Sequence, residues 1–299
     1  MNILVTGAWG DAKSHLAELE TMGHSVCFLQ YEKEELPCPY TWVEGVIGNG
    51  LFLSHPIERF TQLRYIQLTS AGFDRVDMDY VRAHGIEIHN MRGVYSVPMA
   101  EFAVCGVLQL YKQAAFFREN QKRHRWEKHR GLLELSGKRA LIVGCGSVGN
   151  ECAKRFAAFG CAVTGVDLYP REDDLYGEML PLERLNDALG QADILILTLP
   201  LTAQTTHLMD DNRLRLLKST AVLVNIARGA IVDTEALIRR IDHLGGAVLD
   251  VFEEEPLGDD SPLWDKENVI LTPHNSFVSE GNGERIKTVI LANLKQKRE

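Results

Sequence analysis

Three residue types that could act together on a small anionic substrate recur just beyond apolar, strand-like runs of this chain. Arg228 follows Thr220-Ala-Val-Leu-Val224 and Asn225, Asp250 follows Gly246-Ala-Val-Leu249, and His274 follows Asn268-Val-Ile-Leu271, with Glu253, Glu254 and Glu255 slightly later on the Asp250 connection. In an open α/β sheet, ligands bind beyond the carboxyl ends of the strands. An arginine, a carboxylate and a histidine gathered there form a chemical set. Reduction of a 2-oxo acid needs a hydride source, a fixed cation for the substrate carboxylate, and an acid to protonate the carbonyl oxygen as charge develops. A guanidinium grips a carboxylate bidentately, which suits Arg228 to the cation role. An imidazole titrates near neutrality, which suits His274 to acid/base work, and a neighbouring carboxylate would orient the ring. Taken singly, each residue has a plainer reading. The chain has 10 histidines without a pattern, Arg228 could cap a helix, and Glu253 to Glu255 could be an exposed acidic turn before Pro256.

The hydride source is read from Arg139-Ala-Leu-Ile-Val-Gly-Cys-Gly-Ser-Val-Gly149. The apolar run Ala140 to Val143 predicts a buried parallel strand, followed by Gly144-x-Gly146-x-x-Gly149 and a helical pattern through Ala153, Phe156 and Ala157. Gly144 permits the tight turn, Gly146 lets the backbone approach a pyrophosphate, and Gly149 lets helix and strand pack closely, with the helix N-terminus facing the anion. A second strand, Ala162-Val-Thr-Gly-Val166, ends in Asp167. An acid about 20 residues past the first glycine accepts ribose hydroxyls and repels a 2′-phosphate, which favours NAD. Arg171, nearby, is the feature that would admit the phosphorylated form. Gly7-Ala-Trp-Gly10 lacks the three-glycine spacing and is read as an ordinary strand-to-helix turn.

The elements that must position these groups follow from pattern and composition. A chain of 299 residues is long enough for two domains, and 45% hydrophobic with 24% charged residues is soluble and globular in character. The net charge of −9 argues against a nucleic-acid or anionic-membrane partner. No apolar run approaches the roughly 20 residues that span a bilayer. Met1-Asn-Ile-Leu-Val runs directly into a strand-like segment, and the six cysteines show neither C-x-x-C nor zinc-finger spacing, so the expectation is a reduced, cytoplasmic, metal-free protein.

Asn2 to Val5, Ser25 to Leu29, Gly45 to Ile47, Tyr65 to Leu68 and Glu87 to His89 read as short strands, with a helix at Lys13 to Met22 among them. This predicts a small, flavodoxin-like α/β domain over residues 1–97. Ser96-Val-Pro98 interrupts the pattern and opens an apolar helix, Met99 to Tyr111, where a second domain, 98–276, begins. Its near-continuous apolar strands, including Asp193 to Thr198, imply burial on both faces and a doubly wound parallel sheet of the Rossmann type. The helix expected over Glu284 to Lys297 presents Ile286, Val289, Ile290 and Leu294 on one face, so that segment 277–299 should complete the first domain. Two crossings between domains make a hinge. The basic block Arg118 to Arg130, which contains Trp126, is expected to be a solvated or subunit-contacting helix face rather than a nucleic-acid patch.

Over nearly its whole length the sequence resembles the D-isomer-specific 2-hydroxyacid dehydrogenase family. The resemblance rests on Gly144 to Gly149, Leu199-Pro-Leu-Thr-Ala-Gln-Thr-Thr206, Val224-Asn-Ile-Ala-Arg-Gly-Ala-Ile-Val232, Leu249-Asp-Val-Phe-Glu-Glu-Glu-Pro256 and Leu271-Thr-Pro-His274. Ser70 to Asp77 and Gly93 to Glu101 are similar to first-domain segments. The resemblance implies that Arg228 binds substrate, that His274 is the proton donor and acceptor, and that Glu255 is its partner. It further implies that Gly144, Gly146, Ser147, Val148, Gly149 and Asp167 hold the adenosine half and pyrophosphate of NAD. Asp250 and the Ile226-Ala227 region would hold the nicotinamide end, with Pro200 and Thr205 also in the cofactor site. Backbone at Ala71 and Gly72 would cradle the substrate carboxylate. Family members are usually homodimers, with the helix after Pro98 contributing to the contact. Many members follow the catalytic histidine with isoleucine and two glycines, whereas this chain has Asn275-Ser-Phe-Val278, so substrate preference does not carry over.

The reading is an NAD-dependent oxidoreductase that interconverts a small 2-oxo acid, such as glyoxylate or hydroxypyruvate, and its D-2-hydroxy acid. Two alternatives stand beside it. Phosphoglycerate dehydrogenase-type activity would call for further basic residues in the first domain, where Arg75 and Arg92 are the candidates. A non-catalytic, NAD(H)-responsive binding protein of the same fold would not need the full set of Arg228, Glu255 and His274.

Overall fold

The computed structural model describes residues 1–296; Lys297, the last residue of the expected terminal helix, lies outside the described residues. The chain forms two compact units, Met1–Tyr95 with the segment from Ser279 onward, and Ser96–Val278.

In the first unit, β1 (Asn2–Thr6), α1 (Ala12–Thr21), β2 (Ser25–Leu29), β3 (Gly45–Gly48), β4 (Tyr65–Leu68), α2 (Met78–Ala83) and β5 (Glu87–His89) build a five-stranded sheet. All pairings are parallel, in the order β2-β1-β3-β4-β5. Successive side chains on a strand point to opposite faces, and here both faces are apolar. Ile3, Val5, Ile47 and Tyr65 pack on one side with Trp9 and Leu19, while Leu4, Val46, Ile66 and Leu68 pack on the other with Phe60 and Val81. Trp9, within the Gly7-Ala-Trp-Gly10 turn, is wholly buried in this core, which gives that turn a structural role.

The second unit contains α3 (Ser96–Tyr111), α4 (Ala114–Lys122), β6 (Arg139–Val143), α5 (Ser147–Ala158), β7 (Ala162–Asp167), β8 (Glu178–Pro181), α6 (Leu185–Leu189) and β9 (Ile194–Leu197). It continues with α7 (Asp211–Leu216), β10 (Val222–Asn225), α8 (Thr234–Arg240), β11 (Gly246–Leu249) and β12 (Val269–Leu271). These seven strands form a parallel sheet in the order β12-β11-β10-β9-β6-β7-β8. Strand order runs outward in both directions from the β6 and β9 pair, so the topological switch point lies where the glycine turn and the end of β9 meet. Leu141, Val143, Leu195, Leu197, Leu223 and Leu249 face one apolar layer, and Ile142, Ile194, Ile196, Val222, Val224 and Val248 face the other. The last helix, α9 (Asn282–Gln296), returns to the first unit and buries Ile286, Ile290 and Leu294 against Ile3, Val5 and Leu19.

Two local expectations need correction. α3 begins at Ser96, so Pro98 lies within the first turn, where its missing N–H costs no intrahelical bond. The basic block is not one helix face. α4 ends at Lys122, His124 takes a left-handed φ of 53°, and Arg125 to Glu134 have no regular structure. Glu119 does pair with Arg123 one turn away, but Trp126 stands 99% exposed beyond the helix.

Candidate active site

The glycine turn meets each steric demand placed on it. Gly144 has a φ of +98°, and a Cβ there would lie 2.6 Å from the Leu199 nitrogen. A Cβ on Gly149 would lie 2.2 Å from the Gly144 carbonyl oxygen, so strand and helix touch through backbone alone. Gly146 differs, because a Cβ there would meet nothing within 4 Å. Open space thus lies over the first turn of α5, whose N-cap Gly146 makes no side-chain capping bond. Backbone amides and the positive end of the helix dipole facing that space fit a pyrophosphate. Thr198, at the end of β9, donates from Oγ1 to the Gly144 carbonyl at 2.6 Å and ties the turn to the neighbouring strand.

Asp167 closes β7 beside this turn. Its Oδ2 accepts from the Cys145 amide at 2.7 Å and its Oδ1 from the Tyr169 amide at 3.0 Å. A carboxylate offers about four acceptor positions, so capacity remains for ribose hydroxyls. Arg171 reaches the same turn, with Nη2 donating to the Cys145 carbonyl at 2.9 Å and pairing with Asp173 at 3.3 Å. The residues present therefore fit a dinucleotide.

Past β9, Thr205 stitches its own loop: its Oγ1 donates to the Pro200 carbonyl and accepts from the Thr202 amide, both at 2.7 Å. At the end of β10, Asn225 is buried and brackets the next turn, accepting from the Ala227 amide at 3.2 Å and donating to the Arg228 carbonyl at 3.0 Å. Ile226 and Ala227 are buried, whereas Arg228 is half-buried and directs Nη1 onto the Ala227 carbonyl at 2.7 Å.

Beyond β11 and β12 the structure brings His274 and Glu255 together. His274 Nδ1 lies 3.0 Å from Glu255 Oε2, and Glu255 Oε1 accepts from the Phe252 amide at 3.1 Å. The histidine backbone is left-handed, with a φ of 50°, an arrangement that costs on the order of 1 kcal/mol for a residue with a Cβ. Hydrogen bonds offset it. The His274 amide donates to the Asp250 carbonyl at 2.7 Å. The Asp250 carboxylate, with no exposed surface, accepts from Thr272 Oγ1 at 2.6 Å, the Asn275 amide at 2.7 Å and the Ser276 amide at 2.9 Å. Asp250 is thus committed to the loop that carries His274, a role the spacing alone did not indicate. Phe277 meets the His274 ring edge-on, with centroids 6.1 Å apart.

Ala71 and Gly72 belong to the first unit. Their loop is held by Asn90 Nδ2 donating to the Ala71 carbonyl at 2.6 Å and Ser70 Oγ donating to the Gly72 carbonyl at 3.1 Å. Sequence reasoning missed Thr198 as the brace of the glycine turn and His207 as the partner of Glu253. Thr198 is the last residue of a predicted strand, which is the available signal for it; His207 carries none beyond following the Leu199 to Thr206 segment.

Comparisons with known proteins identify the family. A family model for the D-isomer specific 2-hydroxyacid dehydrogenase NAD binding domain matches residues 104–276. A glyoxylate reductase of Korarchaeum cryptofilum is 33% identical over 247 residues, covering 79% of this chain and 74% of that protein. An (S)-sulfolactate dehydrogenase of Chromohalobacter salexigens is 34% identical over 245 residues, covering 80% and 79%. The crystal structure of a D-lactate dehydrogenase from Aquifex aeolicus, complexed with NAD and lactic acid, superimposes with a TM-score of 0.81 at 26% identity, covering 99% of this chain and 96% of that one. With the parallel seven-stranded sheet and its glycine turn, these matches make the chain a member of the D-isomer specific 2-hydroxyacid dehydrogenase family, an oxidoreductase with that family's NAD-binding domain.

Proposed function

We propose that this protein reduces a small 2-oxo acid, glyoxylate- or hydroxypyruvate-like, to its D-2-hydroxy acid. The observation that carries the reading is the 3.0 Å contact of His274 Nδ1 with Glu255 Oε2, on a loop clamped from below by Asp250. With Nδ1 engaged by the carboxylate, Nε2 is the nitrogen that meets the substrate. The protonated ring gives its proton to the carbonyl oxygen as negative charge builds there, and in the reverse direction takes it from the hydroxyl. Glu255 holds the ring plane and stabilises the imidazolium. Arg228 binds the substrate carboxylate and polarises the carbonyl. When bound, the nicotinamide supplies the hydride that the substrate α-carbon accepts.

We assign Gly144, Gly146, Ser147, Val148 and Gly149 to the pyrophosphate, Asp167 to the adenosine ribose, and Pro200, Thr205, Ile226, Ala227 and Asp250 to the remainder of the cofactor, Asp250 through the loop it anchors. Ala71 and Gly72 are assigned to the substrate carboxylate on the strength of the resemblance and of the side-chain bonds that hold their carbonyls. Asp167 favours NAD over its phosphorylated form. A homodimer is supported by an apolar groove of the second unit, lined by Val104, Cys105 and Leu108 of α3 and by Phe159, which is 46% exposed. Six free cysteines suit a reducing, cytoplasmic setting.

The test is loss of NADH absorbance against glyoxylate, hydroxypyruvate, pyruvate, bulkier branched and aromatic 2-oxo acids and 3-phosphohydroxypyruvate, with chiral analysis of the product. Turnover of a small 2-oxo acid to the D-product is the expected result. Silence across the panel, from protein that binds NADH, would contradict the reading.

A further inference from the structure

A second histidine–glutamate pair lies on the same sheet edge as the first. His207 Nε2 is 2.6 Å from Glu253 Oε2, and the other oxygen of Glu253 accepts from the Thr234 amide at 2.7 Å. Three loops meet in these two bonds: His207 lies past β9, Thr234 opens α8 past β10, and Glu253 lies past β11.

The turn enclosed by these contacts is the one that begins at Arg228. The His207 amide donates to the Ala230 carbonyl at 2.7 Å, the Met209 amide to the Ile231 carbonyl at 3.0 Å, and the Asp233 amide to the Met209 carbonyl at 3.1 Å. On the opposite flank, a Cβ on Gly229 would lie 1.8 Å from the Phe252 carbonyl carbon and 2.4 Å from the Glu253 nitrogen, so this turn rests directly on the backbone that bears Glu253. Arg228 itself is tethered by Asn225 on its carbonyl oxygen. His207 takes a left-handed φ of 49°, which a side chain tolerates poorly unless bonds hold it.

We propose that the His207–Glu253 pair is a positioning clamp that fixes the Arg228–Ile231 turn, and with it the direction of the Arg228 guanidinium, for binding of the substrate carboxylate. The inference rests on the assignment of Arg228 to that carboxylate. Neither clamp residue touches the reacting atoms. Its effect falls on substrate capture, because a guanidinium held in a fixed fork loses less freedom when two hydrogen bonds form.

The experiment compares wild type with Glu253→Gln, Glu253→Ala, His207→Asn and Arg228→Ala in the full chain. His207→Asn keeps a residue tolerant of the left-handed backbone but is too short to reach Glu253. Steady-state KM and kcat for the 2-oxo acid, NADH affinity by fluorescence and the thermal midpoint are measured together. The clamp variants are expected to raise KM about 3- to 10-fold with kcat within about 2-fold and NADH affinity unchanged, as fits the loss of roughly one hydrogen bond's worth of positioning. Glu253→Gln should lie nearer wild type than Glu253→Ala, since its oxygen can still accept from Thr234. An unchanged KM in Glu253→Ala and His207→Asn, alongside a large effect in Arg228→Ala, would overturn the clamp alone. An unchanged KM in Arg228→Ala would instead overturn the role of Arg228 on which it rests.

Discussion

The buried carboxylate of Asp250 accepts the backbone amide of Asn275 at 2.7 Å and so fixes the residue directly after His274. His274, the proposed acid/base residue, is presented by a loop that three bonds to one carboxylate hold in place. Asp250→Asn would turn an acceptor toward N–H donors into a donor. The expected result is a stability loss of about 2–3 kcal/mol, as for a buried hydrogen bond to a charged group, together with reduced kcat. Urea unfolding and steady-state kinetics check it, and a variant with unchanged midpoint and kcat would contradict the anchoring role.

Arg228→Lys keeps the charge and removes the planar fork. A lost charge-assisted bond corresponds to about 1.5–3 kcal/mol, so kcat/KM for a 2-oxo acid should fall roughly 10- to 100-fold. NADH affinity should be unchanged by fluorescence titration. Equal kcat/KM in the two proteins would remove the bidentate grip from the account.

The His207–Glu253 pair makes stability depend on pH in a defined window. The hydrogen bond to Glu253, opposed slightly by burial and aided by the nearby charges of Glu253 and Asp233, raises the His207 pKa above its ordinary 6.5. Burial pushes the Glu253 carboxyl upward, but hydrogen bonds from Thr234 and His207 outweigh it and lower the pKa from 4.5. The histidine contribution is complete below its ordinary value and is lost as pH rises through the raised one. The glutamate contribution is complete above its ordinary value and is lost as pH falls through the lowered one. The difference in thermal midpoint between wild type and His207→Asn should therefore be widest between 4.5 and 6.5 and shrink toward alkaline pH. A difference that does not vary with pH would show that the pair contributes no charge-dependent stability.

Leu108 lines the apolar groove on α3. In the proposed dimer, Leu108→Glu would bury a carboxylate in the contact and should raise the dissociation constant at least about 30-fold, the effect of losing an interface residue worth about 2 kcal/mol. Light scattering after size exclusion would show the mass halve. A wild-type protein that is already monomeric would contradict the dimer.

The fold was legible wherever the chain alternates apolar runs with helical patterns, because burial on both sheet faces leaves near-continuous apolar runs at β6, β9, β10 and β11, broken only by Arg139 and Asn225 at strand ends. β8 escaped notice: Glu178-Met-Leu-Pro181 is a short edge strand with two apolar residues at its centre. The basic block misled because charge spacing resembles a helix face, whereas the left-handed turn at His124 ends the helix and has no charge signature. Arg228 and His274 could be singled out because ligands bind past the strand ends, and Glu255 because the family resemblance pairs the acid before Pro256 with His274. The clamp of His207 on Glu253 could not, because it depends on where three loops of different length converge.

In the proposed mechanism His274 moves the proton. The most direct measurement is kcat for NADH-dependent 2-oxo acid reduction by His274→Asn, a substitution that tolerates the left-handed backbone, with NADH affinity measured on the same preparation. Turnover should fall by about 10²- to 10⁴-fold, as for loss of a general acid, while NADH affinity stays within about 2-fold. Near-wild-type turnover in that variant would remove His274 from the chemistry.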